Sequence, residues 1–408
     1  MTAGVPTLRS EPALTAGRLS EQLALAVLER MLPALEGGTL EVRLPGGEVR
    51  RFGSGEAVAM QIHDRRFFRR LAAGAKLGLG ESYVAGEWDA PDLVAFFELM
   101  LANAELAVRR HPHVRRLVEA RPRLNRRNGL TRARRNISYH YDLGNDLFAL
   151  MLDPTMTYSC AVFEREGETL EEAQRRKYRR ICEKLGLTAD DRVLELGCGW
   201  GGFAIFAATE VGCRVTGLTI SAAQASLARE RVEAAGLDGR VEIRLEDYRL
   251  HRGSYTKLAS IEMIEAIGGK QLPTYFDAID RFLEPGGTAC VQSILVPDER
   301  WNRYRKTPDW IERYVFPGCL IPSLGALSRA ASRSGLRIEA IDEIGPSYAE
   351  TLRRWRRSFE ERIDEVRALG YDRRFERTWR FYLAFCEAAF RMGSLRDAQL
   401  VFGRAGAR

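Results

Sequence analysis

The chain has 408 residues, 45% of them hydrophobic and 29% charged, which is room for two or three domains, and no apolar stretch approaches the roughly 18–20 residues that cross a bilayer. Its seven cysteines are scattered, with no CxxC and no Cys/His cluster, which argues against a disulfide framework or a zinc site and for reduced thiols. A net charge of +7 points to an anionic partner, and MTAGVPTLRSEPALTAG lacks the basic and apolar regions of an export signal, so a cytoplasmic address is expected.

Along the chain, Leu19, Leu23, Val27, Leu28, Met31, Leu32 and Leu35 recur at helical spacing and predict an amphipathic helix. TLEVRLPGGEVRRFG follows, two alternating runs around Pro45-Gly46-Gly47, and predicts a hairpin. Helical patterns resume through FFRRLAAG and LVAFFELMLAN and end in residues 109–136, which are rich in arginine and hold the single acid Glu119. Residues 1–130 therefore read as a mainly helical N-terminal domain with a small β element. Residues 131–408 read differently. DRVLELG, CRVTGLT, VEIRLED, KLASIEMIEA and TACVQSILV are short β-rich runs separated by helix-length segments, the pattern of an α/β domain with a parallel sheet covered by helices on both faces. From Trp301 onward the chain reads as helical, with a last strand at AQLVFGR.

The strand DRVLELG runs into Glu195-Leu196-Gly197-Cys198-Gly199-Trp200-Gly201-Gly202 and then into a helical pattern. Glycines there let backbone approach a ligand closely, and a helix N-terminus favours polar or anionic groups. The dinucleotide fingerprint needs G-x-G-x-x-G with an acid on the next strand, whereas this chain has G-x-G-x-G and a next strand ending Gly217-Leu218-Thr219, which counts against NAD. The ExGxGxG form instead resembles motif I of S-adenosylmethionine-dependent methyltransferases of Rossmann-like fold, with Asp247 and Tyr248 in the later acidic loop where such folds seat the adenine.

Five stretches narrow the resemblance: ISYHYDLGNDLFALMLDPTMTYSCAVF, LELGCGWGGFA, TGLTISAAQ, IEMIEAIG and FYLAFCEAAFR. In this order they resemble the cyclopropane-fatty-acyl-phospholipid synthase family, from about residue 40 to the C-terminus. The resemblance implies transfer of a methyl group from S-adenosylmethionine to the cis double bond of an unsaturated acyl chain in a membrane phospholipid, forming a cyclopropane ring with a bound bicarbonate as general base. By motif it makes Tyr158 and Ser159 the pair closing over the cofactor. Glu195, Gly197, Gly199 and Gly201 become its glycine loop, and Thr219, Ile220 and Gln224 the ribose-contacting turn. The bicarbonate ligands map to Cys160, Glu265, Ile294 and Tyr348. Gln292 stands where well-known members have histidine; an amide donates a hydrogen bond but carries no charge. Cys386 matches a position long treated as catalytic.

Each of these positions also has a plainer reading. Glu262 lacks a family counterpart and is expected to be structural or to face a polar edge. Cys160 and Cys386 alone would read as small buried apolar residues, and His140 as a positioning residue. The amide at 292 motivates an alternative product, a methylene- or methyl-branched chain formed from the same cation; a small-molecule methyltransferase and a non-catalytic basic binding protein are further alternatives. With a lipid substrate in view, the arginine-rich segment reads as a contact for the anionic inner face of the membrane, making the protein peripheral. It lacks the interleaved aromatics of a nucleic-acid binder, and a homodimer stays open.

Overall fold

The computed structural model describes Ala26 and residues 35–110, 144–307 and 309–404. The helix expected over Leu19–Leu35 lies almost wholly outside these residues, as do positions 111–136 of the arginine-rich segment and His140. The chain divides into two compact units. One comprises Met1–Leu124, Lys306–Val315 and Gly370–Ser394, the other Asn125–Arg305, Phe316–Leu369 and Leu395–Arg408.

In the first unit the expected hairpin forms from β1 (Gly38–Arg43) and β2 (Val49–Ser54), turning through Gly47 at φ 87. Two strands that the sequence reading did not single out complete this sheet. β3 (Ala57–Ile62) lies parallel to β1, and β4 (Trp88–Asp89) lies antiparallel to β3. The unit also takes two segments from beyond residue 300, which the expected boundary near 130 assigned to the catalytic domain. The physical reason is aromatic packing: in the helix Arg373–Arg391, Phe381 sets its ring 4.5 Å from Trp310, 4.9 Å from Phe97 and 5.5 Å from Tyr83. Rings of this size bury large apolar areas and favour tilted or edge contacts.

The second unit holds a seven-stranded sheet in the order β10-β11-β9-β8-β5-β6-β7. Its strands are β5 (Arg192–Leu196), β6 (Arg214–Thr219), β7 (Val241–Leu245), β8 (Tyr255–Ile261), β9 (Leu283–Leu295), β10 (Leu336–Glu343) and β11 (Arg396–Arg404). The strands from β5 to β9 pair in parallel, as expected, while β11 runs antiparallel to β9 and β10 antiparallel to β11. The sheet is therefore mixed. β10 was hidden inside a stretch read as helical; its sequence LRIEAIDE is an edge strand that leaves most side chains at least partly exposed, so it lacks an apolar run.

Central strands read as continuous apolar runs because helices cover both faces: Val193, Leu194 and Leu196 of β5 are fully buried. Helix α1 (Leu170–Leu185) starts at a capping box between Thr169 and Glu172 and ends on Gly186 in the left-handed conformation. From β5 the chain winds outward through β6 and β7, then returns to place β8 on the other side of β5. Such a reversal opens a crevice beyond the carboxyl ends of the strands, where open α/β sheets bind ligands.

Candidate active site

That crevice is a cavity with two chemically different walls. One is the turn from β5 into the helix α2 (Gly202–Glu210), where Gly197, Gly199 and Gly201 take φ values of 77, 54 and 81. These left-handed conformations come without steric penalty only to glycine. A Cβ on Gly197 would stand 2.6 Å from Cγ of Met263, whereas one on Gly199 would meet nothing within 4 Å. The backbone thus lies open to a ligand at one glycine and locked against a neighbour at the other.

Tyr158, Ser159, Glu195, Gly197, Gly199, Thr219, Ile220, Gln224, Asp247 and Tyr248 all line this cavity; Gly201 does not. Thr219 Oγ1 holds Gln224 at 2.8 Å, and Ser221 caps the helix that follows. Asp247 is buried and paired with Arg249 at 2.6 Å. Two polar atoms in this wall have no partner among the described residues, Glu195 Oε2 and the Tyr248 hydroxyl. Burial pushes the Glu195 carboxyl up to about 8. Buried groups left without partners are what a polar ligand satisfies, so this wall fits the ribose and adenine of S-adenosylmethionine. When bound, the cofactor supplies an electrophilic methyl group on a sulfonium.

The other wall is acidic, and Glu262 is its centre. It is the first residue past β8 and lines the same cavity. Its Oε1 accepts from the Cys160 backbone N–H at 2.7 Å and from Gln292 Nε2 at 2.7 Å, and its Oε2 accepts from the Tyr348 hydroxyl at 2.5 Å. Glu262 itself has a left-handed φ of 49, unusual outside glycine. Glu265 lies deeper, in a short 3-10 turn, where Oε1 accepts from Ile294 N–H at 2.6 Å and from Ser293 Oγ at 2.9 Å. Burial, and then the Glu262 charge, push its carboxyl up to about 8.

The fully buried Asp397, on β11 opposite Ile294, completes the cluster. Burial, followed by the Glu262 charge, a hydrogen bond to Glu262 and then the Glu265 charge, holds its carboxyl well above the usual range. One buried cation faces these acids. Lys177 of α1 donates to Ser159 Oγ at 2.6 Å, and burial lowers its ammonium to about 8 against the attraction of Glu262, Cys160, Asp153 and Asp397.

The structure corrects the expected roles of the two glutamates. Glu262, expected to be merely structural, takes the hydrogen bonds of Cys160, Gln292 and Tyr348 that were expected to surround a bicarbonate, while Ile294 N–H is engaged by Glu265. A bicarbonate does not fit here: every donor expected to hold it already serves a carboxylate of the chain, and a further anion would add like charge to a cluster of acids. Cys160 contributes its backbone N–H rather than its thiol, which burial pushes well up. Cys386 belongs to the helix Arg373–Arg391 of the first unit, from which no residue of the cavity lining comes. Lys177, Asp397 and Gln399, whose Nε2 donates to Gln292 Oε1 at 3.1 Å, were not singled out in the sequence. They come from α1 and β11, and no local motif marks them.

Comparison with known proteins agrees with this cavity. A family profile described as mycolic acid cyclopropane synthetase matches residues 128–400. The tuberculostearic acid methyltransferase UfaA1 of Mycobacterium tuberculosis is 42% identical over 83% of this chain and 81% of its own. The cyclopropane-fatty-acyl-phospholipid synthase of Escherichia coli is 38% identical over 85% of this chain and 87% of its own. Among solved structures, the mycolic acid cyclopropane synthase CmaA1, complexed with SAH and CTAB, superposes with a TM-score of 0.62 at 29% identity, covering 66% of this chain and 98% of its own. With its matched domain, its Rossmann-like sheet and a glycine-lined cavity beside a buried acid cluster, the chain belongs to the mycolic acid cyclopropane synthetase family and is an S-adenosylmethionine-dependent, lipid-modifying methyltransferase.

Proposed function

We propose that the protein transfers the methyl group of S-adenosylmethionine to the cis double bond of an unsaturated acyl chain esterified in a membrane phospholipid, working as a peripheral enzyme on the inner, anionic membrane face. One observation carries this reading. A cavity wall suited to the cofactor meets, at the same strand ends, a buried carboxylate cluster that small nucleophiles such as amines and phenols would not require.

An alkene is a poor nucleophile, so alignment with the methyl and its sulfur must supply much of the rate; well-oriented reactants gain about 7–11 kcal/mol. Attack leaves a carbocation on the chain. Tyr158 lines the cavity with its ring packed against Phe148 and Trp355, both centroids at 5.0 Å, an apolar backing of the kind that helps exclude water from such a cation. The formal charge of +7 supports an anionic surface, and among the described residues no helix is long and apolar enough to cross a membrane.

Proton loss from the cation gives either a cyclopropane or a methylene branch. The cyclopropane is the leading reading. The amide Gln292 beside Glu262, and the tuberculostearic acid methyltransferase among the relatives, favour the branched chain as the second. Incubation of the protein with dioleoyl phosphatidylglycerol vesicles and methyl-labelled S-adenosylmethionine, followed by mass spectrometry and proton NMR of the released fatty acids, tests both. Label in the acyl chain is expected. Upfield ring protons identify the cyclopropane, olefinic methylene protons identify the branch, and unlabelled lipid overturns the proposal.

A further inference from the structure

We propose that Glu262 is the catalytic base of the methyl transfer, a carboxylate carried by the chain itself in the place where a bicarbonate was expected. This inference deepens the function proposed above and rests on it. Three features of the geometry carry it.

The first is coordination. A carboxylate offers about four lone-pair directions. Two donors, Cys160 N–H and Gln292 Nε2, meet Oε1, the Tyr348 hydroxyl meets Oε2, and the buried Asp397 carboxyl hydrogen-bonds Glu262 as well, so partners from four other segments fix this carboxylate in place. The second is exposure. Cys160 and Gln292 are fully buried and Tyr348 nearly so, whereas Glu262 is only partly buried and lines the cavity shared with the glycine loop. Its partners lie in the buried interior, while its exposed part borders the cavity.

The third is the backbone. Glu262 holds a left-handed φ of 49, with its N–H donating to Gln292 O at 2.9 Å. Non-glycine residues keep such a conformation only where surrounding contacts enforce it, and such residues cluster at functional sites. Behind Gln292 stands Gln399, donating to its Oε1 at 3.1 Å and itself held by Lys184 at 2.9 Å, so the amide presents its N–H to Glu262.

The step balances without a further reactant. The alkene π pair forms the new carbon–carbon bond as the methyl–sulfur bond breaks, and the positive charge passes from sulfur to the chain. Glu262 takes one proton from the new methyl group, and the freed C–H pair closes the ring onto the neighbouring cationic carbon; where a 1,2-hydride shift first moves the charge to the carbon that bears the methyl, the same pair forms an exocyclic double bond instead. The neutral acid then returns its proton to water as product leaves.

The test has two arms, one of them independent of the lipid. Calorimetry in the presence of S-adenosylhomocysteine measures bicarbonate binding: none is expected for the wild type, and saturable binding is expected for Glu262→Gly, where glycine suits the left-handed backbone and leaves a carboxylate-sized space. Retained affinity for S-adenosylhomocysteine reports that each variant is folded. In the second arm, methylation of oleoyl phospholipid by the wild type is expected to be unchanged in carbon-dioxide-free buffer. Glu262→Gln is expected to lose about 10²- to 10⁴-fold in turnover, the usual worth of a general base, and Glu262→Gly to recover activity on addition of bicarbonate or formate. Bicarbonate binding by the wild type, a bicarbonate requirement for its turnover, or full activity of Glu262→Gln overturns the proposal. A wild type that methylates no oleoyl lipid strikes the function proposed above, and the binding arm alone then decides whether Glu262 holds the bicarbonate position.

Discussion

The two walls of the cavity are built in opposite ways. The glycine wall comes mainly from short local stretches, the turn at 195–202, the turn at 219–224 and the loop with Asp247 and Tyr248, and its two turns are held by local backbone and by the helix starts that follow them. The acidic wall gathers Cys160, Lys177, Glu262, Gln292, Tyr348 and Asp397 from six separate segments, and its Cys160–Glu262 bond alone spans 102 positions. A site for a shared cofactor can be encoded locally. A pocket that keeps several acids together out of water has to be assembled by the whole fold, because each charge needs its partners brought from elsewhere.

That contrast can be broken or sharpened by substitution. The largest effect is expected for Lys177→Met: removing the buried cation leaves the acids uncompensated, and the loss should be about 3–5 kcal/mol of folding stability, read by urea unfolding. Unchanged stability would mean that the acidic wall is not held by charge at all. Gly197→Val should act on the other wall, adding about 1–3 kcal/mol of backbone strain besides the overlap with Met263. Calorimetry should then show S-adenosylhomocysteine affinity falling while the bicarbonate-binding behaviour stays as in the wild type.

Tyr348→Phe removes one donor from Glu262 Oε2. Since a hydrogen bond to a charged group is worth about 1.5–3 kcal/mol, turnover should fall by about 10- to 100-fold with cofactor affinity retained; a fall in affinity instead would merge the two walls into one unit. A last effect concerns pH. The Glu265 carboxyl is raised from 4.5 to about 8, so the folded chain keeps a proton that the unfolded chain has released. Its contribution to stability is full below 4.5 and is lost as pH rises to about 8. Glu265→Gln should flatten thermal stability across that window by about 1.4 kcal/mol per pH unit, and an unaltered pH profile would remove Glu265 from the protonated part of the cluster.

The same contrast explains what could be read in the chain before any coordinates. β5, β6, β8 and β9 were legible because buried parallel strands leave short apolar runs, the edge strand β7 because VEIRL alternates, and the glycine turn because its spacing is local. β10 was not, since an edge strand carries Arg337, Glu339, Asp342 and Glu343 where a central one carries valine or leucine. Among the acids, Glu265 was singled out from its surrounding motif. Glu262 was misjudged because nothing in IEMIEAIG says which of the two carboxylates turns toward the cavity; a left-handed backbone bond decides that. Lys177 and Asp397 sit in ordinary helical and strand patterns, and only their neighbours 85 and 135 positions from Glu262 reveal them. The helix Arg373–Arg391 was legible as a helix, but its membership in the first unit depends on which aromatic rings it meets.

The 2.7 Å contact between Glu262 and Gln292 joins two positions that each looked anomalous alone. An imidazole at 292 would suit a mobile anion whose protonation changes, while an amide suits a carboxylate fixed at one end by its own chain. The two residues are therefore expected to vary together. Relatives of this enzyme should sort into two lineages, one with an acid at the first position and an amide at the second, the other with neither, and hybrids carrying a single exchange should be rare in nature and poorly active when made.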